Sequence, residues 1–146
     1  MSSEDNKAIV RRIHEEINRG NLGIVEELYA VGFVSHVGDR TGGLLEYKEY
    51  LTAHRAAFPD WHTTIDDLVA EGDTVVTRVS ERGSHKGEWR HYYVGRIAPT
   101  HRAVSCTRII IRRIRNGKVV ESWINADHLG MLHQVGALDG LHKNKV

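Results

Sequence analysis

The chain has 146 residues, enough for one domain with a buried core, and its 40% hydrophobic and 27% charged content fits an ordinary globular protein. A formal charge of +1 gives no electrostatic footprint for nucleic acid or an anionic membrane surface, and no apolar run is long enough to span a bilayer. The single cysteine, Cys106, rules out an internal disulfide; with the polar, acidic start Met1-Ser2-Ser3-Glu4-Asp5, it makes the cytoplasm the expected location.

Ser2 or Ser3 followed by Glu4 and Asp5 reads as a helix start, with acidic groups at the positive end of the dipole. Ile9, Val10, Ile13 and Ile17 recur at helical spacing, and Gly20 supplies the stop. A second short helix capped by Asn21 buries Leu22, Val25, Leu28 and Tyr29. After Phe33-Val34-Ser35-His36 and a glycine-containing loop, a third helix fits Leu44 to Phe58, with Leu44, Tyr47, Leu51 and Phe58 inward; Pro59 ends it.

From Trp61 the period becomes that of strands. His62 to Ala70 and Thr74 to Arg82 form a hairpin turning at Glu71-Gly72-Asp73, and Gly83 and Gly87 bracket a bend around His85. Trp89 to Ile97 reads as one further strand. The strongest signal is Asn116-Gly117 between Cys106–Arg115 and Lys118–Asp127, a two-residue turn with both central residues at positive φ. Counting outward pairs Ile114 with Val119, Arg112 with Glu121, Ile110 with Trp123, Arg108 with Asn125 and Cys106 with Asp127, all on one face. The opposite face, with Ile109, Ile111 and Ile124, is also apolar, so both faces need cover. Leu129 to Gly136 suits a closing helix, and the tail Lys143-Asn144-Lys145-Val146 is expected to fray. Helices first and antiparallel strands after is the α+β pattern, in a single domain over 1–146.

Several segments in order carry a family resemblance: Phe33-Val34-Ser35-His36, Phe58-Pro59-Asp60-Trp61-His62, Gly83 to Trp89, Pro99-Thr100, Asn116 to Trp123, and Asp127 with Gln134-Val135-Gly136. Together they resemble the SnoaL-like polyketide cyclases of the nuclear-transport-factor-2-like superfamily. The resemblance implies a cone-shaped barrel of strongly curved antiparallel sheet, with about three N-terminal helices and a short C-terminal one. It also implies a homodimer formed through the sheet. Asp127 matches the family's general acid/base for cofactor-free aldol closure. Two departures are His101, where a Gly is usual, and Arg96, in a stretch usually small or apolar.

The expected function is therefore a cofactor-independent cyclase or isomerase acting on an enolisable carbonyl compound, with a hydrophobic or aromatic small molecule as ligand. Asp127 has two readings. Enclosed beside Trp123 it is a raised-pKa base; paired with Arg108 or capping the helix from His128 it is structural. His85 is the second catalytic candidate, and His36, Trp61, His62, Arg78, Trp89, Trp123 and Asn125 are expected pocket residues. For Arg78 an ion pair with Asp67, opposite it by counting from the turn, is the competing reading. The ten histidines show no metal-ligand spacing, so neither metal nor cofactor is expected. Two alternatives stand. A non-catalytic dimer would hold a ligand in the same pocket. An epoxide hydrolase type would need Arg and Asp two apart on one strand, whereas Arg108 has Cys106 and Ile110 there.

Overall fold

The computed structural model describes residues 1–141; the tail expected to fray lies outside the described residues. Helix α1 spans Ser3–Asn18, and Ser2 caps it in a reciprocal box with Asp5. Gly20, at φ +82°, ends the turn that follows. Helix α2 is Ile24–Leu28. Tyr29, expected at its end, is already extended and starts β1, Tyr29–Val37; β2, Arg40–Gly42, hairpins onto it. Helix α3, Leu44–Ala57, stops one residue before Phe58. Then come β3 (His62–Glu71), β4 (Thr74–Ser84), β5 (Trp89–His91), β6 (Gly95–Ile97), β7 (Ala103–Arg115), β8 (Lys118–Ala126) and α4 (His128–Gln134).

Six strands form one sheet in the order β2-β1-β8-β7-β4-β3, with free edges at β2 and β3. It is an α+β fold whose sheet is mixed rather than wholly antiparallel, because β1 joins β8 in parallel. The expected single strand from Trp89 to Ile97 is instead a separate hairpin, β5 with β6, because the chain reverses before Gly95 at φ +85°.

The Asn116-Gly117 turn has φ values of 52° and 76°, and it pairs Arg115 with Lys118 as counted. One step further the register changes. Ile114 pairs Val119 but Arg113 pairs Glu121, so Val120 is an extra residue on β8. Because strand side chains alternate, that bulge turns the rest of β8 over. Trp123 lies opposite Ile111 and Asn125 opposite Ile109 on the outer face, while Ser122 and Ile124 turn inward.

Two apolar clusters fill the concave side. One, near the turn, joins Val10 and Ile13 of α1 to Leu28, Phe33, Val75 and Ile114. The other, beneath the end of α3, joins Phe58, Trp61 and Trp89 to Cys106 and Met131. The inward row of β7 crosses from one to the other as Val104, Cys106, Arg108, Ile110, Arg112 and Ile114. Its two arginines therefore fall in the seam between the clusters.

Candidate active site

The seam is hollow. An outer chamber of about 370 Å³ lies between β1, β2 and α3, and an inner one of about 60 Å³ continues under α1 and α3. Tyr47, Tyr50, Arg108 and Ile124 border both, so they form the passage.

Arg108 is buried and its Nε donates to Glu81 Oε1 at 2.9 Å. Glu81 reaches this point because the inward row of β4 runs Val75, Thr77, Val79, Glu81. Its second oxygen accepts from Thr63 Oγ1 at 2.9 Å and Trp61 Nε1 at 3.3 Å. Three donors thus converge on one carboxylate and fix its position. The Arg108 Nη2 donates to the Tyr50 hydroxyl at 3.3 Å. Two of five guanidinium donors are thus engaged, and the side chain still faces both chambers.

Two histidines complete the polar wall. His54 stacks on Tyr50, with ring centroids 5.5 Å apart, and meets Trp61 edge-on. Burial, with the charge of Arg108 adding, pulls its pKa down to about 3. His128, at the first turn of α4, faces the outer chamber; burial and then Arg108 lower it to about 4. Both imidazoles are neutral at neutral pH. Tyr47 is held as a phenol, its pKa raised well above 10 by burial first and by Tyr29 second.

Of the residues expected in the pocket, Trp61 is in it. Arg78 is on the outer face, bound to Asp67 at 2.6 Å as the turn count foresaw. His36 and Trp123 are also outside, stacked 5.2 Å apart, and His36 Nε2 meets Glu121 at 2.7 Å. Asn125 is exposed through the same bulge. His62, paired with Arg82 at the start of β3, alternates with the buried Thr63 and is turned away from the interior. Trp89 and His85 belong to the second apolar region: His85 is fully buried, 5.4 Å from the Phe58 ring, with Nδ1 3.0 Å from Thr100 Oγ1.

Asp127 is exposed, does not line either chamber, and caps α4 by accepting from Gly130 N at 2.9 Å. The enclosed reading of this carboxyl is thereby corrected, because β8 ends at Ala126 and the chain has left the cavity. The second reading, a helix cap, is the observed geometry. Glu81, Tyr50, His54 and His128 were not singled out from the sequence. His54 was legible, since it continues the inward stripe Leu44, Tyr47, Leu51 by three residues. Glu81 was legible too, as the fourth member of an alternating inward row.

Among the described residues no group of three or more His, Cys, Asp or Glu is placed to hold a metal ion. The position two residues from Arg108 that an epoxide hydrolase type would fill with Asp is Ile110, on the wall of the inner chamber.

An open, curved α+β sheet whose arginine-bearing cavity is roofed by helices defines a pocket protein of the nuclear-transport-factor-2-like type. The family model for SnoaL-like polyketide cyclases matches residues 7–135, and the chain belongs to that family. Solved structures agree. AclR from Streptomyces galilaeus, a proposed hydroxylase, is 25% identical with a TM-score of 0.85, over 94% of this chain and 99% of that one. IdmH from Streptomyces antibioticus, a proposed polyketide cyclase, is 30% identical with a TM-score of 0.76, over 90% and 98%. A SnoaL-like chain from Jannaschia, 20% identical with a TM-score of 0.80 over 92% and 94%, shares the fold. No curated protein matches the chain.

Proposed function

We propose that this chain is a cofactor-independent cyclase or isomerase acting on an enolisable carbonyl compound held in the outer chamber. The observation that carries the reading is Arg108, a buried cation fixed by Glu81 and Tyr50 and still facing the chamber. A substrate carbonyl oxygen on its remaining N–H groups would gain negative charge in the transition state, where a preorganised cation out of water counts most. The neutral His128 takes the proton from the carbon α to that carbonyl, leaving an enolate against Arg108. The enolate carbon forms a bond to a second carbonyl carbon of the same molecule. The alkoxide so formed takes the proton back from the imidazolium, so no proton is gained or lost overall. Asp127, by capping α4, positions His128 rather than touching substrate.

The test is ring closure of an aromatic compound bearing a poly-β-ketone side chain, followed by absorbance. Arg108→Met and His128→Asn should each lose turnover, and Asp127→Asn should keep it. Normal turnover by Arg108→Met would end the proposal. The non-catalytic alternative, in which the cavity only holds its ligand, predicts binding with no ring closure by the native protein.

The family's sheet-to-sheet pairing is part of the same reading. Val69, Val76, Ile111 and Trp123 form a row across the outer face, with Val69 61% and Ile111 36% exposed. We infer that a second copy of the chain covers this row. No helix among the described residues is long and apolar enough to cross a membrane.

A further inference from the structure

Arg112 is 3% exposed on the wall of the inner chamber. Counting from the turn gave it Glu121 as a cross-strand partner. The bulge at Val120 sends Glu121 to the outer face, where it binds Arg113 at 2.9 Å and His36, and leaves Arg112 opposite Ser122. What remains around Arg112 is hydroxyl groups: Thr77 Oγ1 at 3.5 Å from Nη1, with Tyr29 and Tyr47 alongside. Its Nε has no hydrogen-bond partner among the described residues, and neither has Nε2 of His14 or of His54, all three being buried. His14 and His54 line the same chamber.

The charges on that wall do not balance. Arg108 and Arg112 line the chamber with one carboxylate, Glu81, which already accepts from Arg108, Thr63 and Trp61. Arg55, also on the wall, is turned to the last carbonyls of α1, donating to Ile17 O at 2.9 Å. His14 is neutral, because burial first and then Arg112 and Arg108 push its pKa well down. A buried cation without an anion is costly, and burial of ions is ordinarily compensated by a partner.

We propose that the inner chamber is an anion subsite, and that the ligand carries a carboxylate which enters past Arg108 and binds the Arg112 guanidinium. The body of the ligand then occupies the outer chamber with its reacting carbonyl near Arg108. As a statement about substrate this rests on the acid–base reading above; as a statement about binding it stands without it. The substrate class is then a keto acid rather than a neutral ketone or an ester. A volume of about 60 Å³ is right for a carboxylate and too small for a ring.

The probe is sodium benzoate against its neutral isostere benzamide, at constant ionic strength, read by thermal shift and by titration calorimetry. Benzoate should raise Tm with concentration and benzamide should not. Arg112→Met should weaken benzoate about thirtyfold or more, as loss of one side of a buried charge pair does. Equal effects of the two probes, as from a chamber that holds only water, would overturn the proposal, and so would an unchanged benzoate affinity in Arg112→Met. If that variant does not fold, the benzoate and benzamide comparison on the native chain decides alone. Selective benzoate binding without any ring closure would leave the subsite standing and remove the acid–base reading; ring closure without benzoate selectivity would do the reverse.

Discussion

Replacing Glu81 by glutamine probes the seam at its centre. The ion pair to Arg108 spans 2.9 Å, and both side chains are less than one-tenth exposed. At an effective dielectric of about 20, charges at that separation attract by about 6 kcal/mol, against which the desolvation of both groups must be set. Glutamine keeps the volume and leaves an oxygen for the Arg108 Nε, retaining about 1 kcal/mol. It also leaves Arg108 and Arg112 together with no interior anion. The expected loss is about 3–5 kcal/mol, a large part of the stability of a domain this size. Urea unfolding at pH 7 would read it as a lower midpoint with an unchanged slope. Adding Arg108→Met should recover most of the loss, since it removes the cation left without a partner. A single-variant loss below about 1 kcal/mol would refute the reasoning, because it would mean that water already screens the pair.

Asp127→Ala should cost about 1 kcal/mol by removing the cap of α4, whereas Asp127→Asn, itself a good cap, should unfold within a few tenths of the native chain. A large effect of the Asn variant on stability would contradict the capping role. His54 and His128 are pulled below the ordinary 6.5, to about 3 and about 4. The unfolded chain therefore takes up their protons first as the pH falls. The stability they contribute is full above about pH 6.5 and is lost downward, through about pH 4 for His128 and about pH 3 for His54. For His54 alone the loss reaches about 2 kcal/mol by pH 5. Urea midpoints at pH 7 and pH 5 should show it, and His54→Asn should reduce the difference without abolishing it, since His128 keeps its own share. His101 sits at φ +58°, where an L side chain is strained by about 1–2 kcal/mol. Set against the extra entropy of glycine, His101→Gly should raise stability by about 0.5–1 kcal/mol, measurable as a higher Tm.

The local code of this chain was legible wherever it acts through neighbours in sequence. Ser2 and Asp5 cap α1, Asn116 and Gly117 adopt the two positive φ values, and Asp67 faces Arg78, each from rules spanning a few residues. At His101, where the resemblance leads one to expect Gly, the backbone takes a positive φ of 58°. What could not be read was the extra residue at Val120, because a bulge is fixed by how β8 fits β7 and β1 at once rather than by its own sequence. That single residue moved Trp123 and Asn125 out of the pocket, separated Glu121 from Arg112, and let Ile124 in. The interior arginines were hidden for a different reason. Arg108 and Arg112 bracket Ile109, Ile110 and Ile111 on β7, and charges interleaved with apolar residues in a strand ordinarily mean a solvated face. Only the cover supplied by α1, α3 and α4 makes it an interior.

The central claim is that Arg108 polarises a carbonyl in the chamber while a neutral histidine moves the neighbouring proton. Deuterium uptake α to the carbonyl of a bicyclic aryl ketone, followed by NMR in D2O, measures that step without needing the natural substrate. The native chain should exchange the proton well above the buffer rate and Arg108→Met should fall back to it. Exchange no faster than buffer, or exchange undiminished in Arg108→Met, would contradict the account.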